Sequence, residues 1–173
     1  MDEERRLFAQ YVRGLSEDEL AQVEPLPFRR ALSAEESKRI WSELKTRWGL
    51  EGFYWYPLDR PDIAEPPLDA LALGAEPFFD PETQTRLRKV LAAIGVTRLW
   101  ELRELDTDAD CELDLELFEP IYTGAEGFWT DRSFDWLIYA SHESSVTVAG
   151  ARLMPAFKRA FPAWQEWSYA PDW

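Results

Sequence analysis

Residues 104–119 hold eight carboxylates and no basic side chain: Glu104, Asp106, Asp108, Asp110, Glu112, Asp114, Glu116 and Glu119. They supply eight of the 14 units of net negative charge, whereas residues 1–95, with 18 acids against 13 bases, supply five. The excess is therefore local. The run Cys111 to Leu117 alternates strictly, which predicts a strand with Leu113, Leu115 and Leu117 toward a core and Glu112, Asp114 and Glu116 toward water. Several chemistries compete for such a face. Acids can simply solvate a strand and discourage strand addition at an edge. They can steer and select a basic protein partner. They can imitate nucleic-acid phosphates, because residues i and i+2 of a strand stand about 6–7 Å apart. They can also hold a divalent ion. Asp106-x-Asp108-x-Asp110 resembles the start of an EF-hand loop, but the glycine position is Cys111 and the bidentate glutamate position is Leu117, which rules that loop out.

His142 is the only imidazole and lies in Ser141-His142-Glu143, between two strand-like runs. No His-x-x-x-His or cysteine pair accompanies it, so no metal site is assigned. The neighbouring serines are too close in sequence to aim at it as a triad nucleophile, and no Gly-x-Ser-x-Gly turn is present. His142 and Glu143 form a candidate polar site, with Glu143 or Asp135 expected to hold the ring. Acid–base catalysis by carboxylates, with a divalent ion and His142, requires acids to converge with that ring in a concave pocket. Cys111 opens an acidic run, and nearby acids make a thiol a poor nucleophile. Phosphate-cradling glycine motifs are absent, and no cofactor is implied.

Elements that would position these groups can be read from local signals. The chain has 173 residues, 46% of them hydrophobic, which suits one domain with a real core. The N-terminal third, about residues 1–50, reads helical. Ser16-Glu17-Asp18-Glu19 and Ser33-Ala34-Glu35-Glu36 are capping boxes, and Ile40, Leu44 and Trp48 recur on one helical face before Gly49. Phe53 to Leu58 reads as an aromatic strand. Residues 57–81 hold six of the 12 prolines and are expected to be a packed surface connection, with at most a turn of helix at Leu68–Leu73. Asp80-Pro81-Glu82 starts another helix, with Leu87, Val90, Leu91 and Ile94 buried and Gly95 at its end. From about 96 to 150 the period changes to two, with strands at 96–102 and 111–117 and a hairpin from 134–141 and 145–149. Leu153, Phe157 and Phe161 mark a helix within 151–173, followed by an aromatic tail. The order predicts an α+β fold, an antiparallel sheet with helices packed mainly on one face.

The charge balance excludes phosphate-directed nucleic-acid binding and docking on anionic membranes. No run is apolar for the length of a membrane span, and no apolar segment follows the charged start, so a cytoplasmic location is expected. Nine tryptophans divide into Trp41, Trp48, Trp100 and Trp136, which the patterns place in the core, and others that could face a partner. Tyr56, on an aromatic strand that cannot bury every ring, and Trp129, in a glycine-flanked loop, are the candidate anchors.

The stretch Phe128-Trp129-Thr130-Asp131, then Asp135-Trp136-Leu137-Ile138-Tyr139-Ala140-Ser141-His142-Glu143, and on to Gly150 and Leu153, resembles the C-terminal half of small bacterial immunity proteins carried beside polymorphic toxins, such as the SUKH superfamily. The resemblance implies an acidic, aromatic-rich α+β protein that acts as a non-catalytic inhibitor and plugs a toxin's active site. The expectation is thus an immunity-type inhibitor that docks a basic partner through Asp106, Asp108, Asp110, Glu112, Asp114 and Glu116, with Trp129 and Tyr56 as anchors. Phosphate mimicry and a carboxylate-dependent enzyme remain the alternatives.

Overall fold

The computed structural model describes residues 7, 10–11, 13–20, 27–50, 52, 55, 69–105 and 108–169. Tyr56, Asp106, most of the expected 53–58 strand and the first part of the proline-rich stretch lie outside the described residues. The chain is α+β, built on a seven-stranded sheet in which every neighbouring pair is antiparallel.

Helix α1 (Glu17–Leu20) is a single turn closed by the Ser16–Glu19 capping box, and α2 (Ala34–Trp48) begins at the box of Ser33 and Glu36. Gly49 ends α2 in the left-handed conformation, φ +64°, and its N–H returns to Lys45. Asp80 caps α3 (Pro81–Ala93) by accepting from the Thr83 N–H at 2.9 Å. The last helix, α4 (Leu153–Ala160), carries Pro155 at its third residue, where no intrahelical N–H is missed.

The strands are β1 (Arg29–Ala31), β2 (Ala70–Gly74), β3 (Arg98–Arg103), β4 (Cys111–Asp114), β5 (Gly127–Thr130), β6 (Leu137–Ser141) and β7 (Ser145–Ala149), in the spatial order β1-β4-β3-β5-β6-β7-β2. Strands β3 to β7 form the body, and the first 74 residues supply both edges. Three placements correct the sequence expectation. Leu68–Leu73 contributes no helical turn among its described residues. Residues from Ala70 pair with β7 as β2, a choice made by the waiting ladder of β7 rather than by local propensity. The outer side of β2 meets the C-terminal segment, through the Leu73–Ser168 bridge and the Tyr169 N–H donating to Ala72 O at 3.0 Å. The alternating acidic run is a strand only to Asp114, after which Leu115–Leu117 makes a 3₁₀ turn. The Phe128–Trp129 segment is strand β5, not a loop.

Side chains from both faces of the sheet are buried. On one face α3 and α4 cover Leu99, Leu113, Trp129, Ile138, Val146 and Val148. On the other, Ile40, Trp41, Leu44 and Trp48 of α2 cover Trp100, Leu102, Phe128, Leu137 and Tyr139. Trp55 joins this second layer, its indole N–H donating to Trp48 O at 3.0 Å and its ring standing edge-on to Trp48. Gly127 is required by close approach. A β-carbon there would stand 2.4 Å from the Trp129 ring and 3.0 Å from Arg103 Nη1, because the Trp129 side chain folds back beneath Gly127 on the same face.

Candidate functional site

The acids of β4 are consumed by the fold. Arg30 stands directly opposite Glu112 across the β1–β4 ladder, and its Nε donates to Glu112 Oε2 at 3.0 Å. The two terminal nitrogens of Arg30 hold Glu36 at 2.9 Å each. Arg132 reaches the other oxygen of Glu112 at 3.3 Å. Glu112, expected to face water, is therefore 5% exposed and sits on the same face of the sheet as α2. Asp114 accepts from the Phe28 N–H at 2.7 Å and from Arg98 at 3.0 Å. Its carboxyl is held below the ordinary range, first by the Phe28 N–H. Asp110 ties α2 to the end of β3, accepting from the Ser37 hydroxyl, the Trp41 indole N–H at 2.9 Å and the Arg103 N–H at 2.8 Å. Trp129, expected as an exposed anchor, is fully buried against Phe118 and lies beneath the Arg103 guanidinium. A phosphate-like stripe along Glu112, Asp114 and Glu116 does not form, since Glu112 is covered and Glu116 has left the strand for the 3₁₀ turn.

Of the acids in residues 104–119, Glu116 stays exposed on the 3₁₀ turn after β4, and Asp108 and Glu119 stay exposed at the end of the sheet where β3 finishes and β5 starts. Asp108 and Glu119 are exposed and make no ion pair among the described residues. They line a cavity of about 510 Å³ whose inner wall carries Glu101, Arg103, Arg29 and Cys111. Glu101 is buried and accepts from Arg103 Nε and Nη2 at 2.9 and 2.8 Å, with Arg29 at 3.8 Å. Leu105 and Tyr122 are exposed apolar side chains on loops of the same end, 44% and 36% accessible.

His142 lies here too, in the three-residue β6–β7 turn that Ser144 closes at φ +58°. Its ring is not held by Glu143 or Asp135. Asp135 is instead near Arg47 and Arg152, at 3.7 and 3.9 Å. The partner is Glu126, the residue before β5, which accepts from the His142 N–H at 3.1 Å and contacts its Nδ1 with the same oxygen. Glu126 is fully buried, and its Oε2 accepts no hydrogen bond among the described residues. Glu104 brackets it: its N–H donates to Glu126 O at 3.1 Å and its carboxylate accepts from Glu126 N–H at 3.4 Å. The Tyr122 ring lies 6.5 Å from the imidazole. The imidazole pKa is raised above 6.5, first by the hydrogen bond to Glu126 and further by the charges of Glu126, Glu143 and Glu104. Sequence spacing carried no signal for Glu126, sixteen residues from His142.

A carboxylate that orients an imidazole through Nδ1 is a general acid–base element. Here Glu126 and His142 converge as that reading requires, but neither lines the cavity beside Asp108 and Glu119. Among the described residues no group of three or more His, Cys, Asp or Glu is placed to hold a metal ion. No helix among them is long and apolar enough to cross a membrane. No family model, curated protein or solved structure matches the chain.

Proposed function

We propose that the chain is a non-catalytic binding protein of the immunity-inhibitor kind, and that it docks a basic protein partner through the acidic loop end of its sheet. The observation that carries the reading is the pairing pattern. The acids of β4 face arginines and backbone donors within the fold, whereas Asp108 and Glu119 border an open cavity without a basic partner among the described residues. Exposed Leu105 and Tyr122 lie on the same loops, and Tyr is a residue type that anchors interfaces. Partly exposed Glu104 and Glu143 extend the negative potential around them. A basic side chain of the partner would find the Asp108 and Glu119 carboxylates at the cavity rim, while Glu101 deeper inside is already held by Arg103 and Arg29. The resemblance of the Phe128–Leu153 stretch to immunity proteins supports the same class of function.

The test is a binding assay against the products of neighbouring genes, with each basic product purified. A partner of this kind binds the wild-type chain with an affinity that falls as salt rises. The triple variant D108N/E119Q/E143Q weakens binding by about tenfold or more, through loss of the steering and rim charges. Exposed E82Q on α3 leaves it unchanged. Equal affinity for wild type and triple variant would move the interface elsewhere, and hydrolysis or transfer chemistry by the chain alone would overturn the non-catalytic reading.

A further inference from the structure

We propose that Glu126 and His142 form a proton-operated latch that pins the β6–β7 turn to the loop entering β5. The inference does not rest on the docking role of this end.

Glu126 is a fully buried side chain, yet its described donors are only the N–H and Nδ1 of His142, both on one oxygen. A buried carboxylate needs a counter-charge as well as hydrogen bonds. The imidazolium of His142 is the cation in contact with it. His142 itself is about half exposed, with 52% of its side chain accessible, so solvent protons reach the ring while the carboxylate stays inside. Among the described residues, the titratable groups facing the ring are Glu126 from the loop before β5, Glu104 just after β3, Glu143 in the turn, and the Tyr122 ring from the preceding loop. The charges of Glu126, Glu143 and Glu104, among the described residues, act on it, and all three favour the protonated form.

The direction follows. The imidazole pKa in the folded chain lies above its ordinary value of 6.5. The latch contribution is therefore complete below that value and is lost as pH rises through the folded pKa. Above it, the turn holds a buried carboxylate with a neutral ring, and the strands adjoining the turn keep their own ladder while the turn loosens.

The experiment is NMR on the isotope-labelled full chain. The His142 ring is expected to titrate above 6.5 in the wild type and at a lower pH in E126Q. The readout specific to the latch is the His142 backbone N–H, which donates to Glu126. Its protection, corrected for intrinsic exchange, is expected to fall about tenfold for each pH unit by which Glu126 raises the ring's pKa, through the titration. The Ile138 N–H in the middle of β6 is expected to keep its protection. A ring that titrates at or below 6.5, or a His142 N–H whose protection is unchanged across the titration, overturns the proposal. Both readouts are made on the wild type, so the result does not depend on E126Q folding.

Discussion

Arg30 and Glu112 stand opposite each other in the β1–β4 ladder, joined at 3.0 Å, and the same guanidinium holds Glu36 in the first turn of α2. One side chain thus ties an edge strand, the neighbouring strand and a helix start. The Glu36 carboxylate serves twice, because it also closes the capping box on the Ser33 N–H at 2.9 Å.

Arg30→Met removes a charge from a carboxylate that is nearly inaccessible, whereas Arg86→Met removes one from Glu82, whose side chain is 80% exposed. Thermal melts should show a lower midpoint for R30M than for R86M, which is expected near wild type. Equal midpoints would mean that Arg132 alone satisfies Glu112.

Glu36 has its carboxyl pKa lowered to about 2 from 4.5, first by the Arg30 hydrogen bond and then by the Ser33 N–H. A depressed carboxyl contributes stability above its unfolded pKa, and that contribution is lost as pH falls toward the folded value. Urea titrations of wild type and Glu36→Gln at pH 7 and at pH 3 are expected to show a clear gap at the higher pH and a narrower one at the lower. A gap that is constant with pH would assign the effect to the cap geometry instead of the charge.

Asp110→Ala withdraws the acceptor shared by the Ser37 hydroxyl, the Trp41 indole and the Arg103 N–H. The expected cost is about 1–3 kcal/mol in chemical denaturation, with Asp110→Asn recovering part of it, because an amide oxygen still accepts. The emission of Trp41, which packs edge-on to Phe128 at 5.2 Å, is expected to shift in the alanine variant before the unfolding transition.

Gly127→Ala places a methyl group 2.4 Å from the buried Trp129 ring. Overpacking of this kind costs about 1–3 kcal/mol, read as a lower denaturation midpoint with unchanged m-value. Combining G127A with Trp129→Leu should recover part of that loss, since the clash is with the indole itself. If G127A alone is neutral, the ring has room to move that the packing against Phe118 does not provide.

The helices were legible before any fold was known. The Ser33 box, Gly49, and Asp80 with Pro81 lie at the expected ends of α2 and α3, and Ile40, Leu44, Trp48, Leu87, Val90 and Leu91 are buried as their spacing predicts. The β6–β7 hairpin and the burial of Trp136 were legible in the same way. Those signals act within a few residues, so the order of residues is enough to read them.

The fate of the charged residues was not legible. Glu112 finds Arg30 across 82 positions, Asp114 finds the Phe28 N–H across 86, and Asp110 finds Trp41 across 69. Strand alternation assigns acids and leucines to opposite faces, but it cannot say that a helix covers the acidic one. The same limit hid β1, β2 and the Glu126–His142 pair, which exist because a ladder or a buried donor waits at the right place. Composition and local signals suffice for the acidity of the chain, its α+β class and the caps where its helices begin. Which carboxylates neutralise arginines inside the fold and which, like Asp108, Glu116 and Glu119, stay exposed is settled in three dimensions, because a carboxylate's partner is set by position in space and not by spacing along the chain.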